Sequence, residues 1–275
     1  KGKQTASFVI NPAKQQIQKL ETRYKGFYID WAQKGSATGY DVEYSVNSNM
    51  SGAVSKHLTA NKPDTLTVSG LSGDKVYYVR VRSYTNVNGK VYYGAWSDVK
   101  SIKTANNDIT KASVSGISTK AFTGKAITQN VTVKVGNTVL KNGTDYTVSY
   151  SNNKKVGKAT VKITGKGKYG GVITKTFKIN PAKQEIQKLT AKSKAFFIDW
   201  AQKGSATGYE IQYATNSKFT GAKKVTITNN KTDKTTVSKL SANKKYYVRV
   251  RSYTTVGGTK YYGAWSAVKN VTTKK

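Results

Sequence analysis

Few residues in this chain could carry out acid–base or nucleophilic chemistry. His57 is the only histidine and no cysteine is present, so a catalytic relay could form only around His57 and a thiol nucleophile is excluded. A glycosidase needs two carboxylic acids about 5–10 Å apart in a cleft, whereas Asp30 and Asp199 are expected to be single, outward-facing carboxylates. We therefore predict no catalytic residues and no enzymatic activity, and we expect His57 to be a surface side chain.

Metal and cofactor sites are also predicted to be absent. Transition metals need clustered His, Cys or carboxylate ligands, and calcium needs several oxygen ligands in one loop. The nearest candidates, loops 106–108 and 229–233, offer amides and one carboxylate each. A formal net charge of +34 further opposes the binding of a cation.

The charge itself points to anionic partners. The chain has 47 Lys+Arg against 13 Asp+Glu, a balance that attracts polyanions in a salt-sensitive way. Specific nucleic-acid recognition favours arginine forks, and only five residues are arginine: Arg23, Arg80, Arg82, Arg249 and Arg251. We expect nucleic acid not to be the partner, and an anionic cell-wall polymer or acidic glycan remains a candidate.

The expected location is extracellular, either secreted or attached to a cell surface. No apolar stretch approaches the ~20 residues that span a bilayer, and we expect no signal peptide within these residues. Any export signal or anchor is expected to lie outside these residues. The lack of cysteine permits this location, because modules of about 100 residues can build a core without disulfides.

An internal duplication organises the chain. Its two copies are offset by a constant 169 residues, as from Trp31 to Trp200, and they enclose a different unit at roughly 105–180. TKTFKINPAK at 174–183 matches TASFVINPAK at 5–14 at the same offset. We therefore predict that residues 1–11 are the closing strand of a preceding copy of the middle unit. The matching pairs are 10–20 with 179–189, 29–40 with 198–209, 77–85 with 246–254, and 92–97 with 261–266.

Alternation of apolar and polar residues with a period of two predicts strands throughout. It is clearest in VYYVRVRSY (76–84) and YDVEY (40–44). Asn88-Gly89 and Gly257-Gly258 each separate two such runs and predict tight hairpin turns. No segment has a convincing amphipathic helical pattern.

The outer units resemble fibronectin type III domains over nearly their whole length. The resemblance is carried by Trp31 and Trp200 in a second strand, by GYDVEY in a third, and by a Leu–Tyr pair six residues apart that ends at Tyr77 or Tyr246. It implies that both tryptophans are core residues and that both tyrosines pin a corner of the sandwich through their hydroxyls.

The middle unit resembles the Ig-like repeats of secreted proteins from Gram-positive, often gut-dwelling bacteria. The similar segments include FTGKAI (122–127), LKNGTDYTVSYSNN (140–153) and VGKATVKITGKGKYGG (156–171). Together the resemblances imply an all-β fold of tandem β-sandwiches in an elongated array. The expected domains are 12–104 and 181–275, both fibronectin type III-like, with an Ig-like domain at 105–180 between them.

VRVRSY followed by GAWS resembles the Arg/Trp ladder of cytokine-receptor fibronectin modules. A regular two-residue turn would pair Arg82 with Ala95 and place Trp96 opposite the inward Val81. A one-residue bulge near Ala95 would instead turn Trp96 outward, between guanidinium groups. Asp41 and Glu43 would supply cross-strand ion pairs. Because these partners are at hand, structural roles are favoured over ligand recognition for the arginines. The predicted structural residues of the two ladders are Arg80, Arg82, Trp96, Arg249, Arg251 and Trp265.

The loop AQKGSAT is identical at 32–38 and 201–207, although 45–69 and 214–238 differ widely. In the fibronectin type III fold this loop lies at the same pole as the Asn88 hairpin and several tyrosines, which are common binding residues when exposed. The alternative is that the loop shape is simply required to join two strands. The candidate binding residues are Lys34, Ser36, Tyr84, Tyr92, Tyr93, Lys203, Ser205, Tyr253, Tyr261 and Tyr262.

These observations predict a stalk and binding segment of a bacterial surface or secreted protein. Its partner would be an extracellular protein or glycan, with mucin, matrix proteins and immunoglobulins as candidates. Two alternatives stay open: electrostatic docking on polyanions such as teichoic acid, sulfated or sialylated glycans or nucleic acid, and service as an accessory module of a cell-wall or glycan hydrolase.

Overall fold

The computed structural model describes residues 3–6, 8–33 and 35–275. In these residues every regular element is a β-strand except a single turn of 3₁₀ helix, and no helix is long and apolar enough to cross a membrane. The predicted all-β class with tandem sandwiches is confirmed. The chain divides into two compact units, one of residues 1–114, 132–148 and 162–173 and one of residues 115–131, 149–161 and 174–275.

The first copy forms two antiparallel sheets whose apolar faces enclose one core. Strands β1, β2 and β5 form the smaller sheet in the order β1-β2-β5. The larger sheet has the order β4-β3-β6-β7, and β8 also pairs with β6. The strands are β1 (Ile17–Arg23), β2 (Gly26–Trp31), β3 (Gly39–Ser45), β4 (Val54–Leu58), β5 (Thr65–Val68), β6 (Val76–Val87), β7 (Lys90–Tyr93) and β8 (Lys100–Lys103).

The middle segment contributes residues to both units. Its sheets have the strand orders β10-β12-β13, β11-β17-β15-β14 and β16-β9, and the 3₁₀ helix Ile109–Lys111 follows β9. The strands are β9 (Asn107–Asp108), β10 (Ser113–Ser115), β11 (Lys120–Ala121), β12 (Thr132–Val135), β13 (Thr138–Val139), β14 (Tyr146–Ser151), β15 (Gly157–Gly165), β16 (Tyr169–Gly170) and β17 (Val172–Asn180). That 105–180 is a separate Ig-like domain stays a prediction.

The second copy repeats the first, strand for strand. Its smaller sheet has the order β18-β19-β22, and its larger sheet has the order β21-β20-β23-β24 with β25 also paired to β23. The strands are β18 (Ile186–Lys192), β19 (Ala195–Trp200), β20 (Gly208–Ala214), β21 (Lys223–Ile227), β22 (Lys234–Val237), β23 (Lys245–Val256), β24 (Thr259–Tyr262) and β25 (Lys269–Thr272).

The alternating pattern explains each core. Trp31 is fully buried between the sheets of its copy and packs on Tyr40, with ring centroids 5.3 Å apart. Trp200 and Tyr209 repeat the contact at 5.4 Å. A large aromatic ring at the centre of each sandwich removes much apolar surface from water, which is the main stabilising term for such a module.

The tight turn at Asn88-Gly89 has the predicted form. Val87 pairs with Lys90, and Asn88 and Gly89 have φ angles of 51° and 85°. Positive φ at both central residues is the type I′ geometry, whose twist matches that of the flanking strands.

Residues 8–10 differ from their counterparts 169 positions later. Phe8 and Ile10 are 83% and 80% exposed and belong to no strand, whereas Phe177 and Ile179 are buried in β17. A strand is stable only when its backbone and apolar face have partners. That residues 1–11 close a preceding module stays a prediction.

The second copy offers a test of the corner tyrosine. The hydroxyl of Tyr246 accepts the backbone N–H of Ser241 at 3.2 Å, as Tyr77 accepts that of Ser72 at 3.3 Å. We expect Tyr246→Phe to lower the free energy of unfolding by about 1–2 kcal/mol, because a part-buried N–H loses its acceptor. Urea unfolding followed by tryptophan fluorescence measures the change.

The matched control is Tyr247→Phe, whose phenol is half-buried beside Lys245. An equal loss of stability in both variants would contradict the corner role.

Candidate binding surface

Trp96 lies on the outer face of the larger sheet, between two arginines. The Cζ atoms of Arg80 and Arg82 are 4.4 and 4.5 Å from its ring centroid. The chain reaches this position through a bulge: Gly94 N–H donates to Ser83 O in the hairpin register, but Ser97 N–H donates to Val81 O. One extra residue therefore lies between these bonds, so the structure has the bulged arrangement of the two considered above.

Carboxylates on the neighbouring strand hold the guanidinium groups. Arg80 donates from Nε and Nη2 to Glu43 Oε2 at 2.9 and 2.7 Å, and Arg82 donates from Nε to Asp41 Oδ2 at 2.9 Å. Each arginine thus has a π partner and an anionic partner within the module. Such a fully engaged arginine is poorly available to read a ligand.

The second copy contains the same stack. The Cζ atoms of Arg249 and Arg251 are 4.7 and 4.3 Å from the Trp265 ring. Arg251 donates to Glu210 Oε2 at 2.9 and 2.6 Å, but Arg249 donates to the neutral Gln212. The stack therefore forms with or without the second carboxylate.

His57 is exposed, as predicted, and serves this framework. Its Nδ1 lies 2.6 Å from Asp41 Oδ1, and its ring stacks on Tyr84 at 4.7 Å between centroids. In the second copy Lys224 contacts the corresponding carboxylate, with Nζ donating to Glu210 at 2.9 Å. Each of these contacts gives the carboxylate beside the arginine ladder a further polar partner.

Glu210 is the most enclosed carboxylate of the second copy, with a 2% exposed side chain. Burial acts to raise its pKa, but hydrogen bonds from Lys224 and Arg251, with their positive charges, outweigh burial and hold the pKa below its usual value. The same hydrogen bond raises the pKa of Lys224. Both shifts favour the charged pair in the folded state.

Hydrogen bonds fix the identical AQKGSAT loops. Thr85 donates from Oγ1 to Ser36 O at 2.9 Å, and Thr254 donates to Ser205 O at 2.8 Å. Lys203 N–H donates to the Tyr209 hydroxyl at 2.8 Å. Because the loop atoms in these bonds are backbone carbonyls and a backbone N–H, the bonds fix the path of the loop and do not depend on its particular side chains.

Three of the loop residues predicted to bind differ in their placement. Ser36 is exposed, whereas Lys203 and Ser205 are half-buried. Lys34 lies outside the described residues.

Two of the six tyrosines are buried, which contradicts their expected exposure. Tyr84 and Tyr253 are 4% and 2% exposed. Each stands opposite a glycine, Gly39 or Gly208, and its ring lies where a Cβ on that glycine would be. The hydroxyl of Tyr84 donates to Leu58 O at 3.3 Å. These two rings are parts of the framework and do not line a surface.

Two further tyrosines already have cations on their ring faces. The Cζ of Arg82 is 3.8 Å from the Tyr93 centroid, and that of Arg251 is 4.0 Å from Tyr262. This contact occupies one face of each ring. Tyr92 and Tyr261, the neighbouring residues, are half-buried and each lines a surface groove.

The groove at Tyr261 consists of two adjoining hollows within the unit that contains the second copy. They have volumes of about 660 and 450 Å³, and both are lined by Lys158 and Tyr261. The first also includes residues 150–157 and Val256; the second includes residues 117–119 and 176–178. Residue order alone could not reveal this groove, since more than a hundred positions separate Lys154 from Tyr261.

The groove at Tyr92 is smaller and more apolar. Its volume is about 360 Å³, and its lining is Phe8, Val9, Ile10, Asn11, Pro12, Ser36, Thr85, Val87 and Tyr92. Val9 and Lys178 are equivalent positions at the 169-residue offset. The repeat therefore places equivalent tyrosines beside an apolar groove in one copy and a basic groove in the other.

The described residues contain no group of three or more His, Cys, Asp or Glu that could hold a metal ion. Arg, Lys and carboxylate side chains on the larger sheets are paired with one another at 2.6–2.9 Å.

A test of the ladder uses the lowered pKa of Glu210. Because the pKa of Glu210 is lower in the folded state, its ionised carboxylate stabilises the fold at pH values above the unfolded-state pKa of about 4.3. This stabilisation is lost as the pH falls through the folded-state pKa. We expect Glu210→Gln to lower the free energy of unfolding by about 1.5–3 kcal/mol at pH 7, with a smaller difference below pH ~4. Urea unfolding at a series of pH values measures this.

The control is Glu185→Gln, an exposed carboxylate of the same copy, and it should leave the profile unchanged. A deficit in Glu210→Gln that did not depend on pH would show that charge is not the stabilising feature.

Comparison with known proteins identifies the domain type of one part of the chain. No curated protein matches it. A chicken CNTN1 crystal structure of FN1–FN3 domains aligns with 96% of this chain and 99% of its own at 16% identity and a TM-score of 0.32. Residues 181–268 match the family described as "Fibronectin type III domain". The second copy therefore contains a fibronectin type III domain.

Proposed function

We propose that this chain is a non-enzymatic segment of a bacterial surface or secreted protein that presents rigid β-sandwich modules and binds a host glycoprotein. Fibronectin type III domains are generally scaffold or binding modules and are typically extracellular. Mucin is the preferred partner, because its acidic sugars would complement a surface with a net charge of +34.

One observation carries the proposal: the side chains that could do chemistry are engaged in the framework. The four arginines of the two ladders, their carboxylates and His57 contact one another on the larger sheets. What these contacts leave on the exterior is a large excess of lysine. A stable scaffold with a cationic exterior is suited to display and adhesion.

A second candidate function is docking on acidic polymers in general. It is favoured by the small number of lysines that are paired with carboxylates. Within the described residues, five lysines form an ion pair with a carboxylate: Lys14, Lys19, Lys103, Lys162 and Lys224. The other lysines contribute to an unneutralised field that attracts any polyanion and weakens with salt.

Binding to immobilised mucin tests the proposal. We expect the chain to bind mucin, to bind it more weakly as salt rises, and to keep measurable binding through contacts other than charge at about 1 M salt, where the Debye length is only about 3 Å. Biolayer interferometry measures binding at low and high salt, with enzymatically deglycosylated mucin as the control surface. The same incubation should release no sugar or peptide.

Absence of mucin binding at low salt would end the glycoprotein proposal. Binding that vanished fully at high salt would favour the second candidate. Release of product that persists in highly purified protein would contradict a non-enzymatic role.

A further inference from the structure

We infer that the groove around Tyr261 binds an acidic polysaccharide, one that carries sulfate or carboxylate groups along its chain. The inference rests on the proposed function and makes it more specific: it assigns a place on the molecule and a chemical class of ligand. We define the Tyr261 groove as the two adjoining hollows that share Lys158 and Tyr261.

The positive charge of the Tyr261 groove favours an anionic ligand. Four lysines line the groove, Lys154, Lys155, Lys158 and Lys178, and all four are exposed. None of them forms an ion pair within the described residues, and no carboxylate is among the lining side chains. Clustered like charges repel one another, so an anion that lies between them is favoured by all four.

The lining residues other than lysine are suited to binding a sugar. Tyr261 presents an apolar ring and a polar hydroxyl, and that hydroxyl makes no hydrogen bond within the described part of the chain. Asn152, Ser118 and Thr119, which have polar side chains, are also among the lining residues. Such groups can donate to and accept from sugar hydroxyls. The larger hollow alone, at about 660 Å³, falls within the ~300–1,000 Å³ typical of small-ligand sites.

The aromatic and basic residues of the groove lining favour an acidic sugar chain over nucleic acid as the ligand. Single-stranded nucleic acids bind where several exposed aromatic rings stack successive bases. In this groove Tyr261 is accompanied by Tyr150, whose hydroxyl is bonded to Gln129, and by Phe177, which is only 5% exposed. The groove contains no arginine, the side chain that recognises phosphate as a planar fork. Lysine point charges suit dispersed sulfate and carboxylate groups.

The first copy supplies an internal control. Its Tyr92 groove has the equivalent tyrosine but no lysine in its lining. A ligand that needs both the ring and the ammonium groups should therefore use Tyr261 and not Tyr92.

The test measures binding of the full chain to chondroitin sulfate, hyaluronan and neutral dextran by isothermal titration calorimetry at low salt. Chondroitin sulfate has sulfate and carboxylate groups, whereas hyaluronan has carboxylates alone. Comparing their affinities therefore shows whether the groove needs sulfate or binds carboxylates as well. Three variants address the groove: Lys154→Ala/Lys155→Ala/Lys158→Ala, the corresponding triple Lys→Arg variant, and Tyr261→Ala.

Matched controls remove the same charge or ring elsewhere. Lys188→Ala/Lys231→Ala/Lys234→Ala removes three exposed lysines of the second copy from outside the groove lining. Tyr92→Ala removes the equivalent tyrosine. Urea midpoints of all variants show whether each one folds.

We expect the alanine triple variant to lose affinity for at least one acidic polysaccharide by about tenfold or more, because three exposed ammonium contacts, each of modest strength, are lost together. The arginine triple variant should keep binding, since its charges remain. Tyr261→Ala should weaken binding severalfold, whereas Tyr92→Ala and the control triple should change it little. Dextran should not bind.

Equal losses in the groove and control triples would overturn the inference, because binding would then reflect the overall charge. Tighter binding of duplex DNA through the same three lysines would also overturn it, as would failure of both acidic polysaccharides. If mucin bound the chain but neither acidic polysaccharide did, the groove assignment would fail while the proposed function would stand.

Discussion

The arrangement of each outer module depends on one local irregularity, the bulge that turns the second tryptophan outward. It begins at Gly94 and Gly263, where a Cβ would lie 2.7 Å from Pro12 O and 2.9 Å from Ala182 O. The chain entering the module passes so close that only glycine fits. Beyond it, Trp96 and Trp265 stack between arginines, and the arginines in turn fix the acids of the neighbouring strand.

The features that the sequence predicted well are those set by nearby residues. Trp31 falls on the inward phase of a short alternating run, and Asn88-Gly89 dictates its own turn geometry. Tyr84 was predicted wrongly because its position depends on Gly39, a cross-strand partner. The alternation of apolar and polar residues at 76–84 predicts an outward side chain for Tyr84. Because Gly39 opposite it has no side chain, the Tyr84 ring can lie over that strand and stack on His57.

The bulge and the Tyr261 groove needed the three-dimensional structure for different reasons. At Trp96 two registers were both compatible with the spacing, and the hydrogen bonds of Gly94 and Ser97 select one of them. The groove depends on which distant segments meet, and neither alternation nor turn type encodes that. The sequence did single out Tyr261, through its place beside a hairpin, although the lysines around it come from the loop before β15 and from strands β15 and β17 of the middle segment.

The two copies show how much the framework tolerates. Gln212 replaces Glu43, and the ring of Phe219 lies 4.0 Å from Arg249 Cζ. Burial, with the nearby Arg251, lowers the pKa of Arg249, so the aromatic rings on Phe219 and Trp265 help to stabilise a cation that has no carboxylate partner. The stack thus retains its geometry when its charge balance changes.

The surplus of lysine has two opposing consequences for the same molecule. Repulsion among like charges destabilises the compact state, so added salt should relieve it and favour folding. The same salt weakens attraction to an anionic ligand. An acidic chain bound along the lysines would reduce the repulsion directly, and through linkage its binding free energy would appear as added stability. Ligand binding and folding are therefore coupled through one electrostatic field, and their opposite responses to ionic strength distinguish general screening from occupation of a defined groove.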